Sequence, residues 1–82
     1  MSSIDERVNA IMLKIMRRRV PTADVADFGT AVWDLDLDSL DIAELTELLE
    51  KEFSVEADLE KLDDCQSPAD IKAHFLGLIG TH

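Results

Sequence analysis

The apolar positions of this chain fall into helical stripes separated by polar connections. Steps of four, three and four from Ile4 through Val8 and Ile11 to Ile15, with Met12 and Met16 beside them, set one stripe along a first helix. Ser3 and Glu6 stand three apart, as a capping box requires. Arg17, Arg18 and Arg19 close this helix, where cations complement the negative end of its dipole, and Pro21 stops it. The arginine run reads first as a charged helix end and second as a docking patch.

The clearest helical pattern is SLDIAELTELLEKEF, residues 39–53. Ile42, Leu45, Leu48, Leu49 and Phe53 form its buried stripe, while Asp41, Glu44, Glu47 and Glu50 line a separate face. Ser39 stands in an N-cap position, with Asp38 and Asp41 near the positive end of the dipole. The segment ADLEKL, residues 57–62, predicts one or two helical turns. A last helix opens with Ser67 as N-cap, Pro68 at its first position and Asp70 in its first turn. Its stripe is Ile71, Phe75, Leu78 and Ile79; Gly77 weakens its end and Gly80 terminates it.

Residues 20–38 form a long connection, and connections of this length are usually functional. Val25, Phe28, Val32, Trp33, Leu35 and Leu37 can anchor it to a core. The alternation in AVWDLDLD resembles a strand, but a lone short strand has no partner, so an extended loop is expected. The stretch ADVADF, closed by Gly29, has the makings of a short helical turn. The expectation is an all-α fold: one domain over residues 1–82, a small bundle of three main helices and one short helix, with a long loop between the first and second helices.

Charge narrows the partners. The net charge is −10, from 18 acidic against 8 basic residues. That opposes a nucleic-acid partner, whose counterions must be displaced by Lys and Arg, and it favours a monomer with basic protein partners. The imbalance is local: residues 34–64 hold thirteen acidic side chains and two lysines. The single cysteine, Cys65, forms no internal disulfide and reads as a small half-buried apolar residue. The first residues lack the apolar run of a signal peptide, and no segment has the ~20 apolar residues of a membrane span, so a cytoplasmic location is expected.

Catalytic constellations are absent from the spacing. Asp34, Asp36 and Asp38 alternate as at the start of a calcium loop, but Ser39 and Leu45 stand where that loop needs Gly and Glu. His82 is terminal, and His74 reads as a surface residue of the last helix. No Ser–His or Cys–His motif and no glycine-rich phosphate loop occurs, so neither catalytic nor metal-binding residues are assigned. The sharpest remaining feature is Ser39, a hydroxyl at the start of a helix after a long loop. An anion there would sit by free backbone N–H groups, although on position alone a plain helix cap is the stronger reading, since serine is among the commonest caps.

The segment Asp38-Ser39-Leu40-Asp41, followed by IAELTELLEKEF, resembles the signature of acyl carrier proteins, in which Asp-Ser-Leu opens an acidic second helix. The resemblance spans nearly the whole chain. It implies a non-catalytic carrier in which a phosphopantetheinyl transferase moves 4′-phosphopantetheine from coenzyme A onto Ser39. It implies that the arm's thiol then holds an acyl or aminoacyl group as a thioester, presented to loading and using enzymes of a biosynthetic pathway such as fatty-acid or polyketide synthesis. Basic patches on those enzymes would meet Asp38, Leu40, Asp41, Glu44 and Glu47. The rival reading is a non-carrier acidic helical module with Ser39 only as a cap.

Three departures from the family pattern point towards a specialised member. Asp36 stands where most members have Gly, Ala43 and Glu47 replace larger apolar residues of housekeeping carriers, and the Arg17–Arg19 run is unusual in an acidic family. Glycine at the first of these takes a positive φ cheaply, whereas aspartate reaches it at a cost.

Overall fold

The computed structural model describes residues 3–80. The elements in order are helix α1 (Ile4–Met16), two 3-10 turns (Val25–Gly29 and Val32–Leu35), helix α2 (Ser39–Phe53), helix α3 (Leu59–Asp63) and helix α4 (Pro68–Gly80). No strand occurs among the described residues, and the small all-α bundle expected from the periodicity is the architecture observed. His82 lies outside the described residues.

Helix α1 begins where the Ser3 hydroxyl accepts a hydrogen bond from the Glu6 amide at 3.1 Å. Its stripe buries Val8, Met12, Ile15 and Met16, while Ile11 is half-buried and Ile4 exposed. The helix ends at Met16, ahead of the three arginines expected to close it. Pro21 disfavours helical backbone at Val20, and the chain tightens into short-range bonds from the Arg18 amide to Ile15 and from the Arg19 amide to Met16. The arginine run thus forms a turn that points its side chains away from the helix axis towards α2 and the loop.

The connection between α1 and α2 is not extended. Asp24 caps the first 3-10 turn in a reciprocal box with Asp27. The alternating segment winds into the second turn, because a lone strand would leave its backbone groups without a ladder, whereas a turn closes the Asp34 amide onto the Ala31 carbonyl at 3.0 Å. With three residues per turn, Val32 and Leu35 share a face and Trp33 is swung outward, 63% exposed. Phe28, Leu35 and Leu37 are buried anchors; Val25, like Trp33, is not. Ala23, absent from the expected anchors, is buried, and its carbonyl accepts from Arg17 Nε at 2.9 Å. The Val32 amide donates to the Gln66 carbonyl at 2.9 Å and so ties the loop to the segment before α4.

Helix α1 packs against α2 and α4, and α4 also meets the first 3-10 turn and α3. Val8, Met12, Leu45, Leu49 and Phe75 are wholly enclosed at this junction. Ile42, Leu48 and Phe53 of the α2 stripe, and Leu78 and Ile79 of α4, are only half-buried, as a thin core dictates. His74 is half-buried rather than on the surface, because its Nε2 accepts the Asp58 amide at 3.2 Å and braces the start of α3 against α4. Cys65 is half-buried as expected; burial first, then the Asp70 and Asp64 carboxylates, push its thiol above the ordinary value.

Candidate functional site

The mouth of α2 is built by aspartates. The chain enters through Asp36 at φ 58° and ψ 24°, the left-handed conformation that glycine takes most easily. Aspartate is among the few L-residues that tolerate it, at a cost of roughly 1–2 kcal/mol. Asp38 follows in extended backbone and is the N-cap. Its Oδ1 accepts the Asp41 amide at 2.9 Å, while Asp41 Oδ2 accepts the Asp38 amide at 3.2 Å, a reciprocal capping box.

This corrects the placement of Ser39 as the cap. A carboxylate one residue earlier, with a second aspartate three positions on, takes both donors, and Ser39 becomes the first helical residue. The Asp-x-x-Asp spacing was the available signal. Ser39 is exposed, and no hydrogen bond among the described residues engages its hydroxyl. The residue that holds the helix start and the residue that offers a hydroxyl are therefore different.

The structure brings Asp38, Ser39, Leu40 and Asp41 together at this mouth, with Glu44 and Glu47 further along α2. Their availability differs sharply. Leu40 is 77% exposed, and Glu47 is exposed with no ion pair among the described residues. Asp41 is 6% exposed and turned inward, where it accepts from Arg19 Nε at 2.9 Å. Burial pushes its carboxyl up, but the Asp38 amide and the Arg19 guanidinium outweigh burial and hold it below the ordinary range. Arg19 Nη2 reaches Asp38 at 3.3 Å.

Glu44 lies in a two-pronged pair with Arg18, with Nη2 to Oε1 at 3.0 Å and Nη1 to Oε2 as the second prong. That hydrogen bonding lowers the Glu44 carboxyl from its usual value and raises Arg18. Arg18 and Arg19 were not singled out as site residues; the signal for them was a basic run preceding an acidic helix start, which does not name partners. Glu50 and Glu52 are also engaged: Glu50 accepts the Ala57 amide at 2.9 Å, and Glu52 pairs with Arg7.

Beside Ser39 lies an open groove of about 490 Å³, formed by the second 3-10 turn, α2 and α3. Val32, Leu37, Ile42, Leu59 and Leu62 supply its apolar wall, and Ser39, Asp38 and Thr46 are among its polar lining residues. This volume lies within the range of small-molecule sites.

The arrangement presents a hydroxyl without activating it. Among the described residues no general base is hydrogen-bonded to Ser39, and His74 is occupied with Asp58. Among the described residues, no three or more His, Cys, Asp or Glu side chains gather so as to hold a metal ion, and no helix is long and apolar enough to cross a membrane. The site fits a covalently attached phosphodiester. The hydroxyl is exposed and unspent, and the first-turn amides of Ser39 and Leu40 have no intrahelical partner, so an anion on the Ser39 oxygen would lie at the positive end of α2.

Comparison with known families agrees with this geometry. The family model described as the phosphopantetheine attachment site matches residues 7–75, from the first turn of α1 into α4. Family members carry 4′-phosphopantetheine covalently, and such carrier domains are generally non-catalytic and served by partner enzymes. The chain belongs to the phosphopantetheine attachment site family.

Proposed function

We propose that the chain is a non-catalytic carrier, one domain over residues 1–82, loaded at Ser39 with 4′-phosphopantetheine from coenzyme A by a separate transferase. The observation that carries this reading is the exposed, uncommitted Ser39 hydroxyl at the first position of α2. When bound, the arm supplies a thiol that holds an acyl or aminoacyl group for the enzymes of a dedicated biosynthetic pathway.

The chain's own residues present and position. The Asp38–Asp41 box and Arg19 hold the start of α2 rigid, so Ser39 projects from a fixed frame. Because no base among the described residues is hydrogen-bonded to Ser39, its proton leaves to a group on the transferase. The groove beside Ser39 offers an apolar wall to the arm or its cargo. Leu40 and Glu47 form the directly available part of the docking face, and Asp38 and Glu44 reach partners through half-exposed ion pairs. Asp41 supports that face from behind. Basic patches on transferase and pathway enzymes suit this surface and give fast, exchangeable docking. The strong negative charge keeps the carrier monomeric, and its unpaired, half-buried thiol suits the reducing cytoplasm.

The test is the intact mass after incubation with coenzyme A and a broad-specificity phosphopantetheinyl transferase. A gain of one phosphopantetheine, mapped to Ser39, is expected. No gain from folded protein with several transferases overturns the carrier reading in favour of an acidic interaction module.

A further inference from the structure

The arginine turn after α1 does something the carrier role does not require. Its three side chains fold back on the chain: Arg17 on the Ala23 carbonyl, Arg18 on Glu44, and Arg19 on Asp41 and Asp38. Three of the acids expected to meet basic partners are thereby met already from within the molecule. Three carboxylates face two guanidiniums, which leaves this patch a single net negative charge. On the same helix Glu47 has no such partner among the described residues, and Leu40 is 77% exposed.

We propose that Arg18 and Arg19 are specificity-determining residues of the carrier, shielding Asp38, Asp41 and Glu44 from partners that dock by positive charge alone. The inference rests on the carrier reading. A partner that reads the acids beside Ser39 must displace a guanidinium fork, whose planar two-bond geometry a lysine does not reproduce. A partner that docks on Leu40 with one cation for Glu47 meets no such competition. The shielding is set to be exchangeable: the Arg18 and Glu44 side chains are each 45% exposed, so water and salt compete with the pair. Charges at the rim of an interface act chiefly on association, so the effect belongs in KM and its salt dependence.

The test uses the full chain, coenzyme A and a transferase whose docking face is basic, with loading followed by intact mass. Arg18→Gln is expected to lower KM by about threefold or more at low salt with kcat unchanged, and the difference shrinks as salt rises. Adding Glu44→Gln to that variant returns KM to the wild-type value or above it. Arg7→Gln removes the same charge at the far end of the α1–α2 pair, where Arg7 meets Glu52, and leaves KM unchanged. Arg19→Gln acts in the same direction as Arg18→Gln, with a melting curve reporting any loosening of the α2 start. Loading of Arg18→Gln at the wild-type KM overturns the shielding, and so does an equal gain in Arg7→Gln, which would make net charge the cause. A wild-type chain that no transferase loads overturns the carrier reading and this inference with it.

Discussion

Helices α2 and α4 start in the same way and present opposite things. Each has an aspartate at its third position turned back on the cap: Asp41 accepts the Asp38 amide at 3.2 Å, and Asp70 accepts the Ser67 amide at 3.2 Å. At the first position, however, α2 offers the exposed Ser39 and α4 the fully buried Pro68. Asp41 is buried and gripped by an arginine of the turn after α1, whereas Asp70 is exposed and served by local amides, Gln66 first and then Ser67. The α4 mouth is pressed into the core. The α2 mouth opens between the loop and the arginine turn. A capping box therefore fixes where a helix begins and says nothing about what its first residue shows to solvent.

The largest effect should come from exchanging those first residues. Ser39→Ala is expected to abolish loading by intact mass, and adding Pro68→Ser is expected to restore none, because a transferase cannot reach a buried position. Since Asp38 is the cap, Ser39→Ala should change stability by no more than about 0.5 kcal/mol in a denaturant titration. A loss as large as that of Asp38→Ala would break the comparison by making Ser39 part of the cap.

The capping aspartates come next. Asp38→Ala is expected to cost about 1 kcal/mol, the usual worth of an N-cap. Asp41→Ala should cost more, because it removes half of the same box and leaves Arg19 without its main partner. Asp70→Ala should cost less than Asp41→Ala, since no other helix depends on it. Equal losses in denaturant titrations would show that the Arg19–Asp41 pair adds nothing to the local box.

The smallest effect is a shared dependence on pH. Asp41, Glu44 and Asp70 are all held below the ordinary carboxylate range, so each binds its proton less readily folded than unfolded. Their stabilisation is complete above the unfolded values and is lost as pH falls below about 4, through the folded values. Melting temperatures should be level near neutrality and fall on acidification. Asp41→Asn and Asp70→Asn should each flatten that fall, and an unchanged acid slope in both would remove these carboxylates as its cause.

Much of this molecule was legible before its structure. Periodicity located the three main helices, because an apolar stripe is a matter of neighbours three and four residues apart, and the short helix observed at Leu59–Asp63 was expected at residues 57–62. The alternating AVWDLDLD segment was expected as an extended loop, since a lone strand has no partner; the local solution is instead a 3-10 turn that buries Leu35 and exposes Trp33. The serine of Asp-Ser-Leu was visible at once, but its freedom from capping was not, because two residue types with equal capping propensity stood side by side.

The sequence by itself determined the three main helices, the negative charge and the candidate serine, which follow from composition and from residues within a turn or two of one another. Only the tertiary structure decided that Ser39 faces solvent while Pro68 does not, that Asp41 is buried, and that Arg18 and Arg19 lie on Glu44, Asp38 and Asp41. Exposure and ion pairing between helices are set by which faces pack together, and the packing of α1 on α2 brings into contact residues that local propensity never relates.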